Sequence, residues 1–284
     1  MRSNENLISV NELRANLQQP HWRVVDCRFS LQDPSLGRQQ YENGHIPGAH
    51  YADLDRDLAG PVTASSGRHP LPDPIDFART LGRWGITNRS QVVAYDDAGG
   101  AIAARLWWLC KWCGHQQVAV LDGGIQAWAR SNELATDRPS AAETIFDVNP
   151  DSNKVVSTPD VERMLAGNAG FCLVDARDPA RFGGEQEPID AVAGHIPGAL
   201  NYPFSHNLDE SGKWLSPARL RERWAAVPGA GGDEPWAVMC GSGVTACHLA
   251  LAAECAGLSA PALYVGSWSE WIREPSRPVA RGAT

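Results

Sequence analysis

The stretch "WAVMCGSGVTACHLALAAECAG", residues 236–257, places Cys240 where a strand-like apolar run stops and a helix-like apolar run begins, with Gly241, Ser242 and Gly243 between them. Small residues let successive backbone N–H groups turn toward one centre. The following helix, expected to begin near Val244 or Thr245, aims its positive end at the same point. Such a loop cradles an anion and favours a thiolate, which makes Cys240 the candidate nucleophile. The backbone of residues 241–246, with Gly241, Ser242, Gly243, Val244 and Thr245 leading it, is expected to line the cradle. The bland alternative is a strand-to-helix turn holding an inert thiol. Two chemistries use a thiolate in this setting. Phosphate-ester hydrolysis needs an arginine as the sixth residue after the cysteine to clamp the phosphoryl oxygens, and here that residue is Ala246. In sulfane-sulfur transfer the thiolate attacks a donor sulfur and becomes a persulfide, whose terminal anion suits inward N–H groups.

The elements that must position Cys240 occur twice. "VVDCR" (24–28) returns as "LVDAR" (173–177), and "GHIPGAHY" (44–51) returns as "GHIPGALN" (194–201). "VVAYDDAGG" likewise precedes an apolar helical stretch as "WAVMCGSGV" does, which sets Asp96 opposite Cys240. An aspartate is no sulfur nucleophile, so the first copy is expected to be catalytically silent. Short β-branched runs alternate with amphipathic segments in both copies, the pattern of an α/β fold with two tandem domains, each a parallel sheet flanked by helices. Chemistry in such sheets sits at the carboxyl ends of strands. The expected boundaries are 1–135 for the silent domain, 136–154 for a polar linker and 155–284 for the catalytic domain.

The chain has 284 residues, 43% of them hydrophobic, enough for two domains with cores. Its 25 basic and 33 acidic residues leave a formal charge of -8 with no basic cluster, which argues against nucleic acid or an anionic membrane as partner. The polar N-terminus lacks a signal-peptide core and no apolar run is long enough to span a bilayer, so a cytoplasmic protein is expected. Seven cysteines without disulfide-like spacing point to reduced thiols. Cys110 and Cys113 in "CKWC" have no second pair to complete a zinc site, and helical periodicity makes them core thiols. Neither metal nor organic cofactor is expected.

The doubled "VVD.R" and "GHIPGA" elements, the "CGSGVTA" loop, "LDGG" and "GSWSEW" together resemble the two-domain rhodanese superfamily of sulfurtransferases over nearly the whole chain. The resemblance implies a silent first domain and a persulfide on Cys240. Gly241 and Ser242 stand where thiosulfate sulfurtransferases resemble an Arg-Lys loop, and match the 3-mercaptopyruvate subtype. That subtype implies a Ser-His-Asp relay, matched here by Ser242, His69 in "RHPLP" and Asp55 in "DLD". It also implies a donor-carboxylate arginine, matched by Arg181 in "DPARF", with Arg177 as a nearby second choice. A further arginine of the subtype, in "EPR", is absent: this chain reads "EPID", with Ile189 in that place. The implied activity is transfer of sulfur from 3-mercaptopyruvate to a thiol acceptor such as thioredoxin or glutathione, or to cyanide. Thiosulfate as donor, or a non-catalytic persulfide carrier, remain the alternatives.

Other residues are expected to be structural. His45 and His195 occur in both the silent and the active copy, which favours bridging of a turn over catalysis. Cys247 and His248 are expected to face the core, Trp268 and Trp271 to pack helices on the sheet, and Asp26 and Asp175 to orient loops.

Overall fold

The β-branched runs form strands that pair only in parallel. In the computed structural model, which describes residues 6–230, 232 and 234–282, β1 (Leu7–Ile8), β2 (Trp22–Asp26), β3 (His50–Tyr51), β4 (Gln91–Tyr95) and β5 (Val118–Leu121) build one sheet in the order β1-β5-β4-β2-β3. β6 (Val155–Val156), β7 (Cys172–Asp175), β8 (Leu200–Asn201), β9 (Trp236–Met239) and β10 (Ala262–Tyr264) repeat it as β6-β10-β9-β7-β8. Parallel strands need crossovers, and helices lie on the connections. This is the α/β architecture expected from the alternating pattern.

Register carries the repeat into three dimensions. Asp26 pairs with Tyr95 and Asp175 with Met239, so the two aspartates end matching strands beside β4 and β9. The helices that follow those strands, Ala103–Trp112 and Ala246–Cys255, are buried along most of their length, as their mostly apolar sequences favour, and the first buries Arg105 and Lys111 as well. Leu13, Ile46, Val93, Tyr95 and Trp128 form the core of the first unit. Val161, Phe182, Ile196, Met239, Tyr264, Trp268 and Trp271 form that of the second. His45 and His195 take bridging places. His45 exchanges backbone bonds with Ala135 and His195 with Ala280, while their Nδ1 atoms meet the carbonyls of Tyr41 and Phe182 at 2.8 Å.

Two compact units are present, and each includes a segment distant in sequence. One contains the chain up to Gly60, Leu71–Asp151 and Asp209–Trp214; the other contains Pro61–Pro70, Ser152–Leu208 and the chain from Leu215. His69 therefore belongs to the unit of Cys240 although it lies in the first half of the sequence. Most of the polar stretch expected to link the units packs on the first. Thr144 N donates to Gly82 O at 3.0 Å, Asn149 N to Cys113 O at 3.0 Å and Asp151 N to Trp112 O at 2.9 Å, while Phe146 is buried against His115. Cys110 and Cys113 are buried in the helix region, and burial pushes the Cys110 thiol up and that of Cys113 up to about 12. Among the described residues no group of three or more His, Cys, Asp or Glu is arranged to hold a metal, and no helix is long and apolar enough to cross a membrane.

Candidate active site

β9 lies inside its sheet, between β10 and β7, and Cys240 is the first residue beyond its carboxyl end. Cys240 is only 2% exposed. Its Sγ accepts from Ser242 N at 3.4 Å and from Gly243 N at 3.1 Å. Gly243 makes this geometry possible: its φ is +77°, and an added Cβ would lie 2.6 Å from the Val265 carbonyl oxygen. The helix starts at Ala246, later than its apolar pattern suggests. Cys247 N and His248 N bond to Val244 O and Thr245 O at 3.0 and 3.1 Å, a tight three-residue turn that wraps the chain beneath the loop.

A second segment clamps the loop from behind. Ser267, left-handed at φ 53°, accepts from Cys240 N at 3.1 Å and donates to Tyr264 O at 2.9 Å. Trp268 N and Ser269 N bond to the carbonyls of Cys240 and Gly241. A left-handed serine costs about 1–2 kcal/mol, and strain of this kind persists where neighbours over-determine the backbone.

The first unit shows what the loop binds when the thiol is replaced. Oδ1 of Asp96 accepts from Ala98 N at 2.9 Å and Gly100 N at 2.8 Å; Oδ2 accepts from Ile102 N at 2.8 Å and Ala103 N at 2.9 Å. Four backbone donors thus converge on one carboxylate, and Gly99 repeats the positive φ of Gly243. The Asp96 oxygens stand two bonds beyond Cβ, the place that the terminal sulfur of a cysteine persulfide would take on Cys240. In the first unit the loop is an anion cradle filled by its own side chain, and in the second the N–H groups of Ser242 and Gly243 turn to the Cys240 sulfur.

Of the expected relay, Ser242 and His69 are brought together: His69 Nδ1 lies 2.7 Å from Ser242 Oγ, and both residues are buried. Asp55 lies in the first unit, in the short helix Leu54–Asp57, where partial desolvation and Asp53 hold its carboxyl above the usual range. Its membership of the relay rests on the resemblance.

Arg181 and Arg177 take different places. Arg181, on the short helix Pro179–Gly183, sets its Nε and Nη2 against Glu187 (3.0 and 2.7 Å to Oε1), with Nη2 also 3.1 Å from Asp190. Its Nη1 and Nη2 lie 3.7 and 3.6 Å from where a Cβ on Gly241 would be. Arg177 instead grips Asp175 and the Gly194 carbonyl and lies over the Trp268 ring. Arg28 makes the same grip on Asp26 and Gly44 O in the unit without a cysteine nucleophile. Arg177 is therefore held as a structural ion pair, and Arg181 is the one of the two that faces the loop. Ile189 carries an exposed side chain, and only its backbone N–H serves the site, donating to Glu187 at 3.1 Å. Burial would raise Glu187, but the Arg181 fork and the N–H groups of Asp190 and Ile189 outweigh it and hold the carboxyl below its usual range.

Comparison with known proteins decides the family. A model of the rhodanese-like domain matches residues 9–131 and again 157–274. The chain belongs to the rhodanese family. Among rhodanese relatives, a probable 3-mercaptopyruvate sulfurtransferase of Pseudomonas aeruginosa is 47% identical over 283 residues, covering 99% of each chain. A putative thiosulfate sulfurtransferase of Mycobacterium tuberculosis is 38% identical over 262 residues, covering 91% of this chain and 90% of the relative. The solved 3-mercaptopyruvate sulfurtransferase from Leishmania major superposes with a TM-score of 0.84 at 31% identity, over 96% of this chain and 76% of that one.

Four residues of this rhodanese site escaped sequence reasoning. Arg68 lies directly before His69, with its N–H bonded to Ser269 Oγ at 3.0 Å and its Nη1 paired to Asp190. Asp190 and Glu187 anchor the arginines, and Ser267 supports the Cys240 backbone. The signals were local: "RH" in "GRHPLP", "EPID" between the arginine helix and "GHIPGA", and the first serine of "GSWSEW".

Proposed function

We propose that this rhodanese is a sulfurtransferase that takes sulfur from 3-mercaptopyruvate as a persulfide on Cys240 and passes it to a thiol acceptor, thioredoxin or glutathione, or to cyanide. The observation that carries this is the convergence of the Ser242 and Gly243 N–H groups on Cys240 Sγ, with His69 bonded to Ser242 at the edge of the same loop. In the first step the thiolate attacks the donor sulfur. The carbon–sulfur bond breaks with its electron pair on carbon, and the proton of the donor thiol reaches that carbon to give pyruvate. Ser242 and His69, with Asp55 as the third member that the resemblance implies, are the groups assigned to this proton. In the second step the acceptor attacks the terminal sulfur; cyanide leaves as thiocyanate and Cys240 returns as thiolate. The first unit is assigned no chemistry, because Asp96 occupies its cradle. Cytoplasmic residence fits the seven free thiols.

Thiosulfate as donor is the second reading, favoured by Ile189 in the place of an arginine. The deciding experiment compares kcat/KM for the two donors, with Cys240→Ser as blank, and follows Cys240 by mass spectrometry. A gain of one sulfur on Cys240 with a preference of about a hundredfold for 3-mercaptopyruvate, roughly 2.7 kcal/mol of discrimination, is expected. Preference for thiosulfate would replace the donor assignment, and no sulfur on Cys240 would end both readings.

A further inference from the structure

We infer that Ser269 is the positioning residue of the proton relay: it ties the backbone beside the nucleophile to the backbone beside His69, and so sets His69 against Ser242. The inference deepens the transfer reading and rests on it for the role of His69. Ser269 stands on the short helix Ser267–Trp271 and is buried. Its polar groups serve two segments from opposite halves of the sequence. Its N–H donates to Gly241 O at 2.8 Å, one residue beyond Cys240. Its Oγ accepts from Arg68 N at 3.0 Å, one residue before His69. Gly241 adjoins Ser242 and Arg68 adjoins His69, so these two bonds and the 2.7 Å contact of His69 Nδ1 with Ser242 Oγ close a single ring. Ser269 is the residue that completes it.

Three further features fit this role. The Ser269 hydroxyl has the Gly266 carbonyl 3.5 Å away to take its proton, which leaves the oxygen lone pairs to the Arg68 N–H. The approach is close: a Cβ on Gly67 would lie 2.6 Å from Gly266 O and 2.9 Å from Ser269 Oγ, so glycine at 67 is what admits the segment to the helix. The next helix residue catches the preceding amide, since Gly67 N donates to Glu270 Oε2 at 3.3 Å, and Glu270 is itself held through Oε1 by the Thr158 hydroxyl. Two successive side chains of the helix thus grip two successive N–H groups just before His69. A group that moves a proton loses about a hundredfold in rate when misplaced by an ångström, so this grip governs whether His69 can act.

The test measures the single-turnover rate of pyruvate release from 3-mercaptopyruvate in the full chain, with Ser269→Ala made alone and in a His69→Ala background. Ser269→Ala keeps the backbone N–H that holds Gly241 and removes only the acceptor of Arg68 N. The rate is expected to fall about tenfold on its own, and to change by less than about twofold where His69 is already gone, because a residue acting through His69 then has nothing to position. Iodoacetamide labelling of Cys240, which needs no relay, should stay within about twofold in Ser269→Ala. Gly67→Ala serves if that variant does not fold: its Cβ presses on Gly266 O and displaces the same segment with Ser269 intact, and the same pattern is expected. An unchanged rate in a folded variant, equal falls in both backgrounds, or labelling that falls with the rate each overturns the inference while the reactive thiol stands. Full activity in His69→Ala alone, or no pyruvate from the unmutated protein, overturns instead the transfer reading beneath it, and the role of Ser269 falls with it.

Discussion

Asp96→Asn tests the anion cradle where no catalysis complicates it. The substitution preserves shape and removes charge. One oxygen survives and keeps two of the four N–H bonds, while the amide NH2 is turned against the other two donors, either Ala98 and Gly100 or Ile102 and Ala103. Two charge-assisted bonds at about 1.5–3 kcal/mol each, lost in a buried place, give an expected cost of about 3–6 kcal/mol to the first unit. With a urea dependence of about 2 kcal/mol per molar, the midpoint of that unit should fall by roughly 1.5–3 M. Pulsed alkylation in urea separates the units, because buried Cys27 and Cys110 report the first and buried Cys247 the second. The midpoint for Cys27 and Cys110 should move, and that for Cys247 should hold. A shift below about 0.5 M would mean that the loop donors are satisfied without an anion. The argument that the same loop stabilises charge on Cys240 would then lose its internal control.

Gly243→Ala forces a side chain into a left-handed position, for about 1–2 kcal/mol, and sets a Cβ 2.6 Å from Val265 O. The second unit is expected to lose roughly 2–4 kcal/mol in all, with iodoacetamide labelling of Cys240 slowed about tenfold as Gly243 N leaves the sulfur; native stability with native labelling would refute the assignment. In the first unit, burial and Arg23 hold His50 down at about 4. Above about pH 6.5 the imidazole is neutral folded or unfolded. As pH falls from there toward 4 the unfolded chain binds the extra proton, so stability should drop across that window and level off below it. His50→Gln should flatten the slope of urea midpoint against pH, and an unchanged slope would assign it to other groups.

The parallel sheets were legible because hydrophobic alternation and the internal repeat are local patterns. Cys240 and its glycine loop were legible for the same reason: the residues that shape the cradle adjoin the thiol, and only glycine tolerates the turn at 243. The late helix start was not, since it depends on backbone bonds from Cys247 and His248 to the loop. Arg177 and Arg181 lie four residues apart with similar surroundings in the sequence, and only the family resemblance placed Arg181 ahead of Arg177. Their separation into a buried pair with Asp175 and a loop-facing fork came from which carboxylates the fold presents to each.

By itself, then, the sequence determined the two-fold α/β plan, the thiol, its small-residue loop and the loss of the nucleophile at Asp96, all written in residues adjacent to one another. Only the tertiary structure decided that His69 meets Ser242 and that Asp190 ties Arg68 to Arg181. These pairs are separated by up to 173 positions. Hydrogen-bond and ion-pair geometry falls away within a few ångströms, so the choice of partner belongs to the packing of distant segments.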